Sequence, residues 1–420
     1  MYQKTTLDNG LRIISCPMPH TRSVSVLIFV GTGSRYEEDG EAGVSHFIEH
    51  LCFKGTSTRP SAQAVSETIE GVGGILNGST DQEVTTLWAK VARPHMPIAL
   101  DLLVDMLRHS RFHPDDVEKE RQVILEELNT VKDSPHQWVD VLIDRLLWQG
   151  HPLGRDIAGT RESVSGLTRD GILGYLSSQH TPGNTVICAA GDISHDDIVD
   201  PLRAMLEDWE PGTPKEWAPA VDGQHAPQLK LEYRRTEQVH LSLALRGLSL
   251  FHPDRYALGI LNIILGEGMS SRLFVELREN KGLTYSIYSY VTHFLDSGAL
   301  NVYAGVDPKR TAEAVAAIVN EIHRMKERVT AAELAKAKEI IKGRLLLRME
   351  DTRSVAGWVG AQELLTGRVR TVDEVVEQAE AVSHEDVQRV ACQLLVTEKL
   401  NLAVVGPCRS ERGLQKLLKL

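Results

Sequence analysis

Two stretches of this chain follow one plan. LTRDGILGYLSSQHTPGNTVICAAGDIS, from Leu167, and VSHEDVQRVACQLLVTEKLNLAVVGPCRS, from Val382, share a layout. Each runs from a helical pattern through a polar break into a continuous apolar strand, then a glycine (Gly191, Gly406) and a closing helix. An internal duplication constrains the fold more than any single motif, because the architecture of one half has to serve the other. Between the halves, Pro211, Pro214, Pro219 and Pro227 cluster with Gly212 and Gly223 into the clearest linker of the chain. The expected organisation is a first domain over 1–210, a linker over 211–227 and a homologous second domain over 228–420. The expected class is α+β: two duplicated α/β units, each a mainly antiparallel sheet packed with helices. A chain of 420 residues is long enough for more than one core.

In the first half, strands are predicted at 5–8 and 11–15 around a turn at Asn9-Gly10, and at 24–30, 75–77, 84–91 and 185–190. The run at 24–30 is nearly continuous in apolar residues, as in a strand buried on both faces. Helices are predicted at 61–70, with Ser61 as cap, and at 94–110, 114–132, 137–148, 168–179 and 194–209. In the second half the strands fall at 228–233, 239–246, 284–293 and 298–304. The helices fall at 255–265, 271–280, 308–328 and 331–350.

Only the first half carries VSHFIEHLCFKG, residues 44–55, in which His46, Glu49 and His50 form H-x-x-E-H. Val44, Phe47, Ile48 and Leu51 supply the apolar stripe of a helix, and Gly55 a stop. Residues four apart on a helix sit one above the other. His46 and His50 thus offer two imidazoles to one metal ion, with Glu49 on the same side and in reach of a catalytic water. Without a metal, two histidines and an ionised glutamate would each need a partner inside an apolar stripe, which is costly.

A catalytic zinc site takes three protein ligands. No third histidine has an obvious claim. In the helix predicted at 114–132, Val117, Ile124, Leu128 and Val131 centre the apolar stripe, and Glu126 points the other way. Glu120 and Glu127 lie together on the flank of that stripe. Two acidic groups there need a reason, and a cation is one. Glu127 is the expected ligand. Glu120 is expected to hold a ligating histidine or tune its basicity. The competing explanation is an ion pair with Arg121 or a remote lysine.

Composition narrows the partners. A net charge of −11 leaves no basic surplus for nucleic acid, and no apolar run approaches a membrane span. The opening MYQKTTLDNGLRIISC has neither a secretory nor a transit layout. Cys16, Cys52, Cys188, Cys392 and Cys408 are scattered, with no C-x-x-C pair, which fits reduced thiols and a cytoplasmic protein. Gly266-Glu-Gly268 lacks the rest of a dinucleotide or phosphate loop and reads as a turn. No G-x-S-x-G elbow supports a serine hydrolase.

Over essentially its whole length the chain resembles the inverzincin, or pitrilysin-type, metallopeptidases. Among them it is similar to small bacterial-type members and the mitochondrial processing peptidase β subunit. GVSHFIEHLCFKGT is similar to the family's zinc helix and ERQVILEELN to its third-ligand helix, whose earlier acidic residue falls on Glu120. The resemblance implies one zinc ion per chain on His46, His50 and Glu127, with Glu49 as general base for peptide-bond hydrolysis. GGILNGSTDQEVT resembles the family's active-site edge strand, which implies that Asn77 and Gly78 bind substrate backbone by strand addition. Gly78 stands where alanine is commoner. SSRLFVELRENKGLTYSIYSY resembles the arginine–tyrosine segment. This implies that Arg278 anchors substrate oxygens and Tyr285 donates to the developing oxyanion. Without the resemblance, Arg278 reads as a solvated helix charge and Tyr285 as an ordinary strand residue.

Family members enclose substrate between two two-domain halves. This chain has the length of one half and keeps both residue sets. The resemblance therefore implies a homodimer closing over peptides or unfolded polypeptide, with Arg278 and Tyr285 serving the zinc of the partner subunit. The iron-dependent S-ribosylhomocysteine lyases also carry H-x-x-E-H, but on short single-domain chains. Two alternatives remain: a catalytically silent structural or partner subunit of a related complex, and a dedicated maturation peptidase.

Overall fold

The computed structural model describes residues 2–420. In the first half, β1 (Gln3–Thr6), β2 (Arg12–Pro17), β3 (Ser23–Val30), β4 (Ile75–Thr80), β5 (Thr85–Ala92) and β6 (Thr185–Gly191) form one sheet in the order β1-β2-β6-β3-β5-β4. In the second, β7 (Gln228–Tyr233), β8 (Val239–Arg246), β9 (Thr284–His293), β10 (Gly298–Val306) and β11 (Asn401–Gly406) form another in the order β7-β11-β8-β10-β9. All neighbours are antiparallel except β2–β6 and β7–β11. With β1 set aside, the two orders coincide strand for strand. Gly191 and Gly406 close equivalent strands with φ of +149° and +155°. A Cβ on Gly191 would lie 2.5 Å from the Ser23 carbonyl oxygen, and one on Gly406 2.8 Å from Val239 Cα. Each is the same crossing of the same two strands.

One face of the first sheet, with Val24, Val26, Ile28 and Val30, packs on α1 (Val44–Cys52), α2 (Ala62–Glu70), α3 (Met96–His109) and α4 (Pro114–Asp133). Its other face, with Leu27, Phe29 and Trp88, packs on Ala356 and Val359 of the Thr352–Thr366 helix. The second sheet has its own core of Leu241, Leu243, Leu300 and Val302 against Leu258, Leu261 and Ile318. Its opposite face carries α5 (Pro135–Leu147), whose Val139, Leu142 and Ile143 meet Ala244, Ala403 and Val405. β3 is thus covered on both faces, which is why its apolar run is unbroken.

The compact units are not contiguous in the chain. One holds the residues up to Leu128, Asp156–Ala218 and Leu346–Thr371; the other holds Asn129–Arg155, Pro219–Leu345 and Val372–Leu420. A unit boundary does fall within the linker expected at 211–227, but Asn129–Arg155 and Leu346–Thr371 also change unit, so the two-block division is incomplete. No helix or strand lies between Leu206 and Gln228, and the chain changes unit at Ala218–Pro219. Elsewhere each half lends one helical segment to the other's unit, because each sheet needs a cover for its second face.

Two further departures have local causes. Sequence periodicity did not place the Thr352–Thr366 helix: its buried stripe is Ala356, Val359, Gly360 and Glu363, which is small and polar rather than strongly apolar. The segment expected as a helix at 271–280 is a wider π-helical stretch over Phe274–Asn280. Among the described residues, no helix is long and apolar enough to cross a membrane.

Gly360 of the lent helix lies against Phe29. A Cβ there would lie 2.2 Å from Cε2 of Phe29. Gly360→Val should lower stability by about 1–3 kcal/mol through overpacking, read as a lower urea midpoint; an unchanged midpoint would contradict this packing.

Candidate metal centre

α1 forms where its apolar stripe meets the core. Val44, Phe47, Ile48 and Leu51 are each at most 1% exposed. Their burial contributes roughly 1.5–3 kcal/mol per side chain. The buried Glu37 carboxylate accepts from the backbone N–H of Gly43 at 2.7 Å and of Ser45 at 2.8 Å, satisfying donors that a helix start leaves open. Gly43 enters the helix at φ +93°, and a Cβ on it would lie 2.4 Å from the Ala158 carbonyl oxygen. α1 ends at Cys52, short of Gly55, because the Phe53 N–H turns back onto the His50 carbonyl.

The opposite edge of α1 presents His46 and His50, with ring centroids 4.5 Å apart and Nε2 atoms 3.2 Å apart. α4 brings Glu127 to them. Its Oε2 stands 3.8 Å from His46 Nε2 and 3.6 Å from His50 Nε2. Ligands about 2.1 Å from one tetrahedral ion stand roughly 3.4 Å apart. The three separations scatter around that value, so the residues fit zinc. Among the described residues these three form the group of histidine, cysteine and acidic side chains close enough to share a cation.

The surroundings bias the donors. Burial, with His50 beside it, pushes His46 down to about 4, so it is neutral near pH 7 as a ligand must be. Burial also works against charge on His50, yet the bond to Glu120 and the nearby Glu127 and Glu49 carboxylates raise it overall. Glu120, one heptad before Glu127 and only 5% exposed, faces His50 Nδ1 at 3.1 Å. Its other oxygen meets Lys54 Nζ at 2.8 Å. Burial raises Glu120, but His50 and Lys54 together hold it below the usual carboxylate range. The remote lysine weighed against a metal role is therefore Lys54, and it acts alongside the histidine contact. Arg121 pairs with Glu118 instead, at 3.0 Å.

Glu49 points at the sheet edge. Burial raises its carboxyl, while Thr80 Oγ1, donating to Oε2 at 2.9 Å, works the other way. Thr80 belongs to β4, the last strand of the sheet, with Asn77 and Gly78. Asn77 Oδ1 accepts from the Gly78 N–H at 2.8 Å. Arg278 and Tyr285 lie together in the other unit. The guanidinium sits 4.7 Å from the Tyr285 ring centroid and 4.9 Å from that of Phe274, and Tyr285 is 73% exposed.

Sequence reasoning passed over Thr80, Lys54 and Glu37. Thr80 carried a signal, since it shares the face of Gly78 on an alternating strand. Lys54 also carried one, four residues after His50. Glu37 sits in a loop with no periodicity to read.

The chain is thus a duplicated α+β scaffold with a His–His–Glu group suited to zinc and, beside Glu49, the last strand of its first sheet. A family model described as insulinase (peptidase family M16) matches residues 12–161, and one described as the peptidase M16 inactive domain matches 166–341. A Bacillus subtilis protein named uncharacterized zinc protease YmxG is 38% identical over 412 residues, covering 97% of this chain and 98% of its own. One from Mycobacterium tuberculosis, uncharacterized zinc protease Rv2782c, is 38% identical over 423 residues, covering 99% and 96%. The crystal structure of a protease from Helicobacter pylori superposes with a TM-score of 0.92 at 24% identity, covering 97% of this chain and 99% of that one. The chain belongs to peptidase family M16, the pitrilysin-type peptidases.

Metal analysis should find one zinc per chain, and His50→Ala or Glu127→Ala should abolish it. Glu120→Ala should keep the ion but weaken affinity about 10- to 100-fold in a chelator competition. Wild-type affinity in that variant would remove Glu120 from the site.

Proposed function

We propose that this chain is a zinc-dependent endopeptidase, hydrolysing peptides or unfolded segments inside a chamber closed by two copies of itself. The reading rests on one observation: His46, His50 and Glu127 converge while Glu49, on the same helix, faces an edge strand. Zinc, when bound, supplies the Lewis acidity that polarises a scissile carbonyl and eases ionisation of water. Glu49 takes the proton of the attacking water and passes it to the leaving amine. The rise that burial gives its carboxyl suits a base that must afterwards serve as an acid. β4 receives an extended substrate strand on its free edge, with Asn77 and Gly78 meeting the backbone.

Arg278 and Tyr285 act as one group. Their stacking holds the guanidinium over the ring, and the exposed phenol is free to donate to the oxyanion. In the homodimer they serve the zinc of the partner subunit. The net charge of −11 disfavours nucleic acid as a ligand, and the free cysteines suit a reducing compartment such as the cytoplasm.

Glu49→Gln should retain zinc and lose roughly 10²- to 10⁴-fold in turnover of a quenched peptide. Native turnover in that variant would refute its role as base, whereas absence of zinc-dependent turnover in the native protein would favour the silent-subunit alternative. Mixing Glu49→Gln chains with Tyr285→Phe chains tests service across the dimer. Exchanged heterodimers should regain one competent site; no recovery after demonstrated exchange would place both residue sets in the same chain's reaction.

A further inference from the structure

The strand that lies beside Glu49 reads Ile-Leu-Asn-Gly-Ser-Thr over Ile75–Thr80. Side chains on a strand alternate, so Leu76, Gly78 and Thr80 share one face while Asn77 and Ser79 share the other. Leu76 packs on the core that also holds α1, so its face is the one that looks towards the zinc helix. Both of the remaining members of that face meet Glu49. Thr80 Oγ1 donates to Oε2 at 2.9 Å. A Cβ on Gly78 would stand 2.8 Å from Oε1, 3.0 Å from Cγ and 3.0 Å from Cε2 of Phe53. One carboxylate oxygen is therefore held by a hydroxyl, and the other occupies the space that a side chain at position 78 would take.

We infer that Thr80 is the positioning residue of the general base, fixing Glu49 against β4 so that the strand receiving the substrate backbone also sets where the base stands. The inference rests on the reading of Glu49 given above. A glutamate has wide rotamer freedom, and a reacting group displaced by about 1 Å can lose about 100-fold in rate. A hydroxyl donating to a carboxylate is a charge-assisted bond, strong enough to select one rotamer. Thr80 is itself fixed by the ladder, opposite Thr85 of β5. The missing side chain at Gly78 leaves the space that the Glu49 carboxylate occupies against the strand. Substrate register and base position are then set by the same backbone, two residues apart.

Thr80→Val keeps the shape of the side chain and favours a strand, but removes the donor. In zinc-loaded full-length protein it should lower kcat about 10- to 100-fold with KM within about 2-fold, and leave zinc content and the thermal midpoint unchanged. Thr80→Ser, which restores the hydroxyl, should return kcat to within about 3-fold of the native enzyme. A crystal structure of zinc-loaded Thr80→Val should show the Glu49 carboxylate displaced or split between rotamers. Native kcat in Thr80→Val, or Glu49 unmoved in that structure, overturns the inference. Glu49→Gln measured in parallel separates the two levels. If it still turns over normally, the base assignment falls; if it is inactive while Thr80→Val is fully active, only the positioning role falls.

Discussion

The candidate metal centre depends on how α4 packs against the core that α1 enters. Glu127 is half-exposed, so its position comes from the buried side of α4 rather than from contacts of its own. Val117 and Ile124 anchor that side, at 2% and 0% exposure. Arg121 completes it. Its guanidinium is 5.6 Å from the Phe47 ring of α1, donates to the Leu167 carbonyl at 2.8 Å and also bonds the Val164 carbonyl. A buried cation thus ties α4 at once to the zinc helix and to the segment behind it. The cost of desolvating that charge is met by carbonyls and Glu118, all within hydrogen-bond distance. The two histidines and the carboxylate that faces them therefore come from two helices that share one packed seam.

The donors are not held alike. His50 stands in a chain that runs Lys54–Glu120–His50, so its ring is fixed through Nδ1 and its charge state is supported by an anion. His46 has no such support: its Nδ1 is buried and finds no hydrogen-bond partner among the described residues. Packing holds that edge of the ring, while its Nε2 faces His50 and Glu127. The site therefore pairs one imidazole braced by charge with one braced by shape, and the two respond differently to burial. One is raised and the other driven down to about 4.

Much of this was legible in the chain. The apolar run of β3, the repeat around Gly191 and Gly406, and the H-x-x-E-H helix all reduce to period and spacing, which sequence carries directly. The faces of α4 likewise separate Glu120 and Glu127 from Glu126 without any structure. What escaped was whatever depends on which surfaces meet. The Thr352–Thr366 helix packs with small residues, among them Gly360 against Phe29, so its periodicity is weak. Thr80 looked like one more strand residue because nothing local says that Glu49 lies over it. The division into units was incomplete for the same reason: a proline-rich linker announces a chain boundary, whereas a helix that crosses to cover another sheet announces nothing.

That crossing has a consequence for how the molecule could ever be divided. Severing the backbone inside the proline-rich stretch would yield an amino-terminal piece whose sheet lacks the cover of Thr352–Thr366, and a carboxy-terminal piece whose sheet lacks α5. Each piece would contain a complete set of paired strands, with the second face of its sheet left without the helix that covers it. The two would behave as a split protein, each finishing the other.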